Sequence, residues 1–201
     1  YQQTEYTERP SGTSGTTGYC TSPLTPTAGE DTEFKIGLMV THNQSANSYF
    51  IGTRSSTSSN TVGVGIHTTS GSTQLAIFSG TDVAIEPNNG SSIVNQYYDI
   101  TATLTSTGAS ITDGIHSASA SFTPRAINVT PLYVLAIKKY NVSQAVNAVY
   151  GRIYYAQVRQ NGVLKMNLIP CYRKADNVAG FYDTVAGAFI YDSRFVSGPE
   201  V

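Results

Sequence analysis

From Glu33 onward, apolar and polar residues alternate with a period of two in short stretches broken by turn residues. That is the pattern of half-buried strands, and no stretch sustains the three-to-four spacing of an amphipathic helix. A strand at 34–40 places Phe34, Ile36 and Leu38 on one face, and one at 61–67 does the same for Val62, Val64 and Ile66. Comparable stretches predict strands at 49–54, 74–78, 83–85, 97–104, 117–122, 163–169, 179–182 and 188–191. The nearly unbroken apolar run 132–138 reads as a central strand. In 150–158, Tyr150, Arg152, Tyr154 and Ala156 are set against Gly151, Ile153, Tyr155, Gln157 and Val158. One short helix candidate stands at 142–149. More than ten strands with two faces to bury imply two packed antiparallel sheets, an all-β jelly-roll sandwich.

Turn chemistry agrees with that reading. Asn161-Gly162 lies between two strands, and both residues tolerate the positive φ of a two-residue hairpin. Pro170 cannot donate to a ladder, which places it at a strand end or edge. Residues 183–189 form a second tight turn between Tyr182 and Phe189. Residues 1–28 are different, being rich in Thr, Ser, Gly, Pro and Gln, with Tyr6, Tyr19 and Leu24 as the apolar anchors. So little apolar surface cannot offset the entropy of ordering alone. The segment is expected to be an extended arm or linker that, where ordered, lies along the domain at 29–201 or along a neighbouring subunit.

Composition narrows the functional classes. Charged residues make up 12% of the 201 residues, about half the ordinary ~25%. The net charge is −1, so no basic field of the kind that dominates nucleic-acid affinity is present. No run approaches the roughly 20 apolar residues of a membrane-spanning helix, and no basic start with an apolar core marks a signal peptide. Cys20 and Cys171 lack any companion at metal-ligand spacing. Two readings stay open: a bridge tying the N-terminal segment to the C-terminal half, or one buried thiol and one loop thiol.

The last third carries a recognisable series. Gly151-Arg152-Ile153-Tyr154-Tyr155-Ala156-Gln157-Val158 leads into Asn161-Gly162-Val163-Leu164 and Asn167-Leu168-Ile169-Pro170-Cys171-Tyr172-Arg173. Val178-Ala179-Gly180-Phe181-Tyr182-Asp183-Thr184-Val185, Ala188-Phe189 and Ser197-Gly198-Pro199-Glu200-Val201 follow. With the earlier Phe50-Ile51-Gly52-Thr53-Arg54-Ser55-Ser56, the chain from 33 to 201 resembles laminin-G-like, concanavalin A-like jelly-roll modules of bacteriophage and prophage tail and appendage proteins. Related modules occur in surface proteins of gut bacteria. The resemblance implies a component of the virion or extracellular surface that binds a bacterial surface polysaccharide or another host receptor. It also implies contacts with other virion proteins and assembly as a homotrimer; charge and hydropathy give no expectation of nucleic-acid or membrane partners.

Candidate chemistry is sparse. Glycan hydrolysis needs two carboxylates facing one groove. Asp31 and Glu33 would share a strand face at the end of a Pro/Thr/Gly loop, where a solvated strand entry is the simpler reading. His42, His67 and His116 are widely spaced and read as polar strand-end residues. No Gly-x-Ser-x-Gly or phosphate-cradling loop is present. No cofactor is expected. Calcium stays open, because Asp82, Asp99, Asp113, Asp176 and Asp183 could supply loop oxygens, although they are scattered. Asn43, Asn89, Asn128 and Asn141 head Asn-x-Ser/Thr triplets, which would suggest glycans in a secreted eukaryotic protein and, on the phage-like resemblance, are chance in a chain where Ser and Thr make up roughly a quarter of residues.

With no Trp among the residues, stacking on a sugar falls to tyrosine. Polar loops at 55–60 and 88–92 could hydrogen-bond hydroxyls. The candidate ligand-binding residues are Tyr49, Arg54, Ser56, Asn60, Asn89 and Tyr98. The expected function is a non-enzymatic module for host-surface glycan recognition on a phage virion appendage. The alternatives are a structural virion protein, decorating a capsid or capping a fibre without glycan binding, and more remotely a glycan hydrolase using Asp31 or Glu33.

Overall fold

A computed structural model describes the chain except for residues 14–17, 44–45, 55–60, 70–71, 89–90, 125–129 and 139–144, and the side chains of 138, 145 and 146. The first strands are β1 (Gln2–Gln3), β2 (Thr7–Arg9), β3 (Cys20–Thr21), β4 (Thr32–Val40), β5 (Ser48–Arg54), β6 (Thr61–Thr69), β7 (Ser72–Ser79) and β8 (Asp82–Ile85). Next come β9 (Tyr97–Thr105), β10 (Gly108–Thr112), β11 (Ser117–Ser121), β12 (Tyr133–Val134), β13 (Ile137–Lys138) and β14 (Ala145–Val146). The last are β15 (Gly151–Gln160), β16 (Val163–Arg173), β17 (Val178–Asp183), β18 (Ala188–Tyr191) and β19 (Val196–Ser197). Among the described residues there is no helix.

An 11-stranded sheet follows the path β11-β10-β9-β4-β15-β16-β17-β18, with β1, β2 and β19 attached beside it. A 6-stranded sheet runs β3-β12-β5-β6-β7-β8. The two pack face to face as the sequence predicts, and one core joins Phe34, Ile36 and Leu38 of β4 to Val62, Val64 and Ile66 of β6. Full burial of each such side chain is worth about 1.5–3 kcal/mol. The hairpin at Asn161-Gly162 is present, with φ of 47° and 78°. The turn after β17 is held by the buried Asp183, whose Oδ1 accepts the backbone N–H of Asn167, Val185 and Ala186.

The structure corrects several sequence expectations. The 142–149 helix is absent from its described part, where residues 145–146 form β14. The apolar run 132–138 is not one central strand. Leu135 takes a φ of 64°, so Val134 stays in the core while Ile137 crosses to the outer face of the 6-stranded sheet. The run is continuously apolar because it buries residues on both sides of that sheet. Tyr154 and Tyr155 do not alternate: a register shift against β4 between Ile153 and Tyr155 turns both outward. Cys20 and Cys171 are both free and buried, in β3 and β16, so neither is a loop thiol.

Pro170 sits inside β16, opposite Phe181 of β17. Its carbonyl accepts the Thr4 N–H at 3.0 Å, so its nitrogen faces the same side, away from the β17 ladder. That side is where β15 and β16 separate, their pairing having begun at Ala156 and Leu168. The first nine residues fill the gap. β1 pairs with β16, and β2 pairs with both β15 and β19.

The first nine residues therefore lie along their own domain, and the buried ones among them are polar. Thr4, Thr7 and Arg9 are at most 1% exposed. Ladder hydrogen bonds, which composition does not reveal, hold them there. Arg9 donates to the carbonyls of Val149 and Thr13 and lies 4.7 Å from the centre of the Tyr150 ring. Each net hydrogen bond contributes about 0.5–1.5 kcal/mol, against a typical domain stability of about 5–15 kcal/mol. Deleting residues 1–9 is therefore expected to lower the urea midpoint sharply or prevent folding. An unchanged midpoint would show the segment to be dispensable.

Candidate functional site

The outer face of the 6-stranded sheet holds a polar cleft. Its floor is set by β5 and β6. A register shift between Tyr49 and Ile51 sends Phe50 and Ile51 into the core and leaves Tyr49 outside. Opposite, a Cβ on Gly63 or Gly65 would collide with the carbonyls of Ile51 or Ser48. Glycine alone permits this approach, and the floor stays flat. Tyr49 and Phe78 pack there with ring centres 4.7 Å apart, joined by Ile137.

The cleft encloses about 260 Å³ and is lined by Asn47, Tyr49, Arg54, Thr61, Phe78, Gly80, Asp82 and Asn147. Its asparagines are pinned. Asn147 Nδ2 donates to the Asn47 carbonyl at 2.6 Å, and Asn47 Oδ1 accepts the Thr68 N–H at 2.9 Å. Burial, reinforced by the Asp82 charge, pushes the Tyr49 phenol up to about 12, against the opposing effects of a Thr61 hydrogen bond and Arg54. Tyr49 is therefore a neutral hydroxyl at physiological pH.

Asp82 belongs to a chain of polar groups. Gln74 Nε2 donates to Glu86 at 2.6 Å, so Gln74 Oε1 faces His67 Nδ1 at 3.2 Å and that nitrogen carries a proton. His67 Nε2 then meets Asp82 Oδ2 at 3.6 Å, a contact that is attractive when the pair holds one further proton. Burial raises the Asp82 carboxyl above its ordinary 3.8, and His67 draws it back only in part.

Of the candidate residues, Tyr49 and Arg54 come together in this cleft. Tyr98 does not join them. It lies in the other sheet with its ring in the inter-sheet core, 8% exposed, and its hydroxyl donates to Gln96. Ser56, Asn60 and Asn89 lie outside the described residues. Sequence reasoning missed Asn47, Thr61, Phe78 and Asn147 as site residues, and weighed Asp82 only as a scattered loop oxygen. The register of β5 through β8 assembles these positions, and no local motif announces that.

The other acidic candidates are engaged elsewhere. Glu33 pairs with Arg159 at 3.4 Å in a separate crevice of about 170 Å³ that Asp31 also lines. Asp99 accepts from Tyr155, Asp113 caps the turn at His116, and Asp176 pairs with Arg173. Among the described residues no three His, Cys, Asp or Glu side chains converge as a metal site would require.

A second surface is aromatic. On the outer face of the 11-stranded sheet, Tyr97 stands edge-on to Tyr154 at 5.0 Å, and Tyr154 to Tyr6 at 5.5 Å. Arg152 lies over the Tyr6 ring. Further along, Tyr1 packs on Tyr182 and Phe189.

Two antiparallel sheets packed face to face, with the β5–β8 meander in one and β15–β18 in the other, define a laminin-G-like, concanavalin A-like jelly roll. Comparison with solved structures agrees. The chain is similar to a candidate carbohydrate-binding protein from Bacteroides ovatus, with a TM-score of 0.65 at 10% identity over 100% of this chain and 62% of that one. It is also similar to domains LG4-5 of the mouse laminin alpha1 chain, with a TM-score of 0.54 at 16% identity over 79% of this chain and 42% of that one. A heptameric SAP-like pentraxin from Limulus polyphemus gives 0.54 at 10% identity, covering 78% and 76%. The chain thus spans less than two thirds of the first two. No protein-family profile matches the chain, and no curated protein sequence does.

The raised Asp82 carboxyl has a signed consequence. The fold disfavours its charged form, so the cost is absent below 3.8 and grows as pH rises through the folded value. Asp82→Asn should therefore gain stability relative to the parent between pH 3 and pH 7, as read from urea denaturation at both. A difference that stays constant with pH would contradict it.

Proposed function

We propose that the chain is a non-enzymatic carbohydrate-binding module, set on a phage virion appendage and directed at a bacterial surface polysaccharide. The observation that carries the reading is the cleft beside Tyr49. Its volume lies just below the range of about 300–1,000 Å³ typical of ligand pockets, which suits one sugar ring. Asp82 accepts, Arg54 donates, and the asparagines and Thr61 offer both, matching the hydroxyls of a pyranose. Pinned rim residues also lower the entropy lost on binding. The shared fold with the Bacteroides ovatus protein supports the same reading.

A binding role is favoured over hydrolysis because Asp82 is the one carboxylate among the lining residues, and none of the undescribed residues is acidic. The phage setting, the homotrimer and the contacts with other virion proteins rest on the sequence resemblance. Several copies would offset the weakness of a single-ring site through effective concentration. The structural alternative, a capsid or fibre component, draws support from the aromatic outer face of the 11-stranded sheet.

Binding of the purified chain to bacterial cells and their extracted polysaccharides tests the reading. Saturable binding should weaken about tenfold or more in Asp82→Ala and in Asn147→Ala, the loss of about one good hydrogen bond each. Absence of binding across the panel would overturn the glycan reading in favour of the structural one.

A further inference from the structure

Among the described residues, four of the other arginines have their charge matched. Arg152 pairs with Glu8 at 2.7 Å, Arg159 with Glu33 at 3.4 Å, Arg173 with Asp176 at 2.5 Å and Arg194 with Asp192 at 3.0 Å. Arg9 is buried against the Tyr150 ring and donates to carbonyls. Arg54 differs. Among the described residues it has no carboxylate in ion-pairing range, and its Nε is buried without an acceptor. The undescribed segments contain no Asp or Glu, so no carboxylate side chain there pairs with it either.

Arg54 also lines the cleft. A ligand seated there would strip water from a guanidinium that no carboxylate contacts, a penalty that a neutral hydroxyl offsets poorly. A carboxylate matches the planar fork of arginine with two parallel hydrogen bonds. Asp82 shapes the choice further. It lies in the same cleft, held by His67, and its negative charge repels a dianionic phosphate more than a singly charged carboxylate.

We infer that the cleft takes an acidic sugar, a uronic acid or another carboxylated pyranose, with its carboxylate on Arg54 and its hydroxyls toward Asp82 and Asn147. The inference rests on the carbohydrate-binding reading above and narrows it to one chemical class. Asp82 also fixes the orientation, because a carboxylate placed at that end would face a like charge.

The test uses the intact chain and simple probes: glucuronate, galacturonate and mannuronate, each against glucose, galactose and mannose, with binding read by ligand-observed NMR at millimolar concentration. At least one uronate should bind about tenfold or more tightly than its own neutral hexose. Arg54→Gln should abolish that preference, so that the uronate binds no more tightly than its own hexose, and Arg54→Lys should retain part of it. Thermal melts of both variants report folding. Hexoses that bind as well as their uronates, with Arg54→Gln indistinguishable from the parent, would overturn the acidic-sugar inference and leave the carbohydrate reading standing. Binding of none of these sugars would overturn both.

Discussion

Beyond Ala156 and Leu168, β15 and β16 part, and each backbone donor and acceptor along the gap needs a new partner. An unpaired buried amide or carbonyl costs about as much as a lost hydrogen bond, so an open gap of several residues would be ruinous in the middle of a sheet. Residues 2–9 close it from within the same chain. The closure reaches further than the sheet. Arg9 holds the carbonyl of Val149, whose own N–H reaches the carbonyl of Leu135. Two residues before Val149, Asn147 meets Tyr49 and Asn47. The wedge in one sheet is thus linked through a short covalent path to the cleft on the outer face of the other.

The cleft shows how register makes chemistry from ordinary residues. Tyr49, Thr61, Phe78 and Asp82 belong to four successive strands, and none belongs to a motif. A one-residue slip would turn Tyr49 inward and exchange it for Ser48 or Phe50. What fixes the register is the buried face, where Val62, Val64 and Ile66 admit no exchange with the glycines between them. Stability on one side of the sheet therefore determines which polar groups meet on the other.

Much of this architecture was legible in the chain. Two-residue alternation found the sandwich strands from β4 to β9 and from β15 to β18, because one face of each is buried and the other is not. It failed where that condition fails. The 132–138 run serves both faces of its sheet, so its continuous hydrophobicity mimicked a single strand. Thr4, Thr7 and Arg9 are buried by ladder pairing, to which composition is blind. Tyr154 and Tyr155 share a face through a bulge, which leaves little trace in the residue pattern. At the site, Tyr49 and Arg54 were among the residues the sequence offered as ligand contacts. Their partners are distant in sequence and became neighbours only through the pairing of β5 to β8. Tyr98 carried the same aromatic signal, yet it falls on the inward positions of β9.

The two thiols occupy separate sheets, Cys20 in β3 and Cys171 in β16. Burial raises both, Cys171 to about 11, so at neutral pH roughly one Cys171 in ten thousand is the reactive thiolate. Oxidants and electrophiles outside the protein meet almost no nucleophile on it. The sandwich has no covalent staple, and it also offers no handle by which an oxidising milieu could crosslink or scramble it. A cysteine placed by design on an exposed turn would carry a label essentially alone.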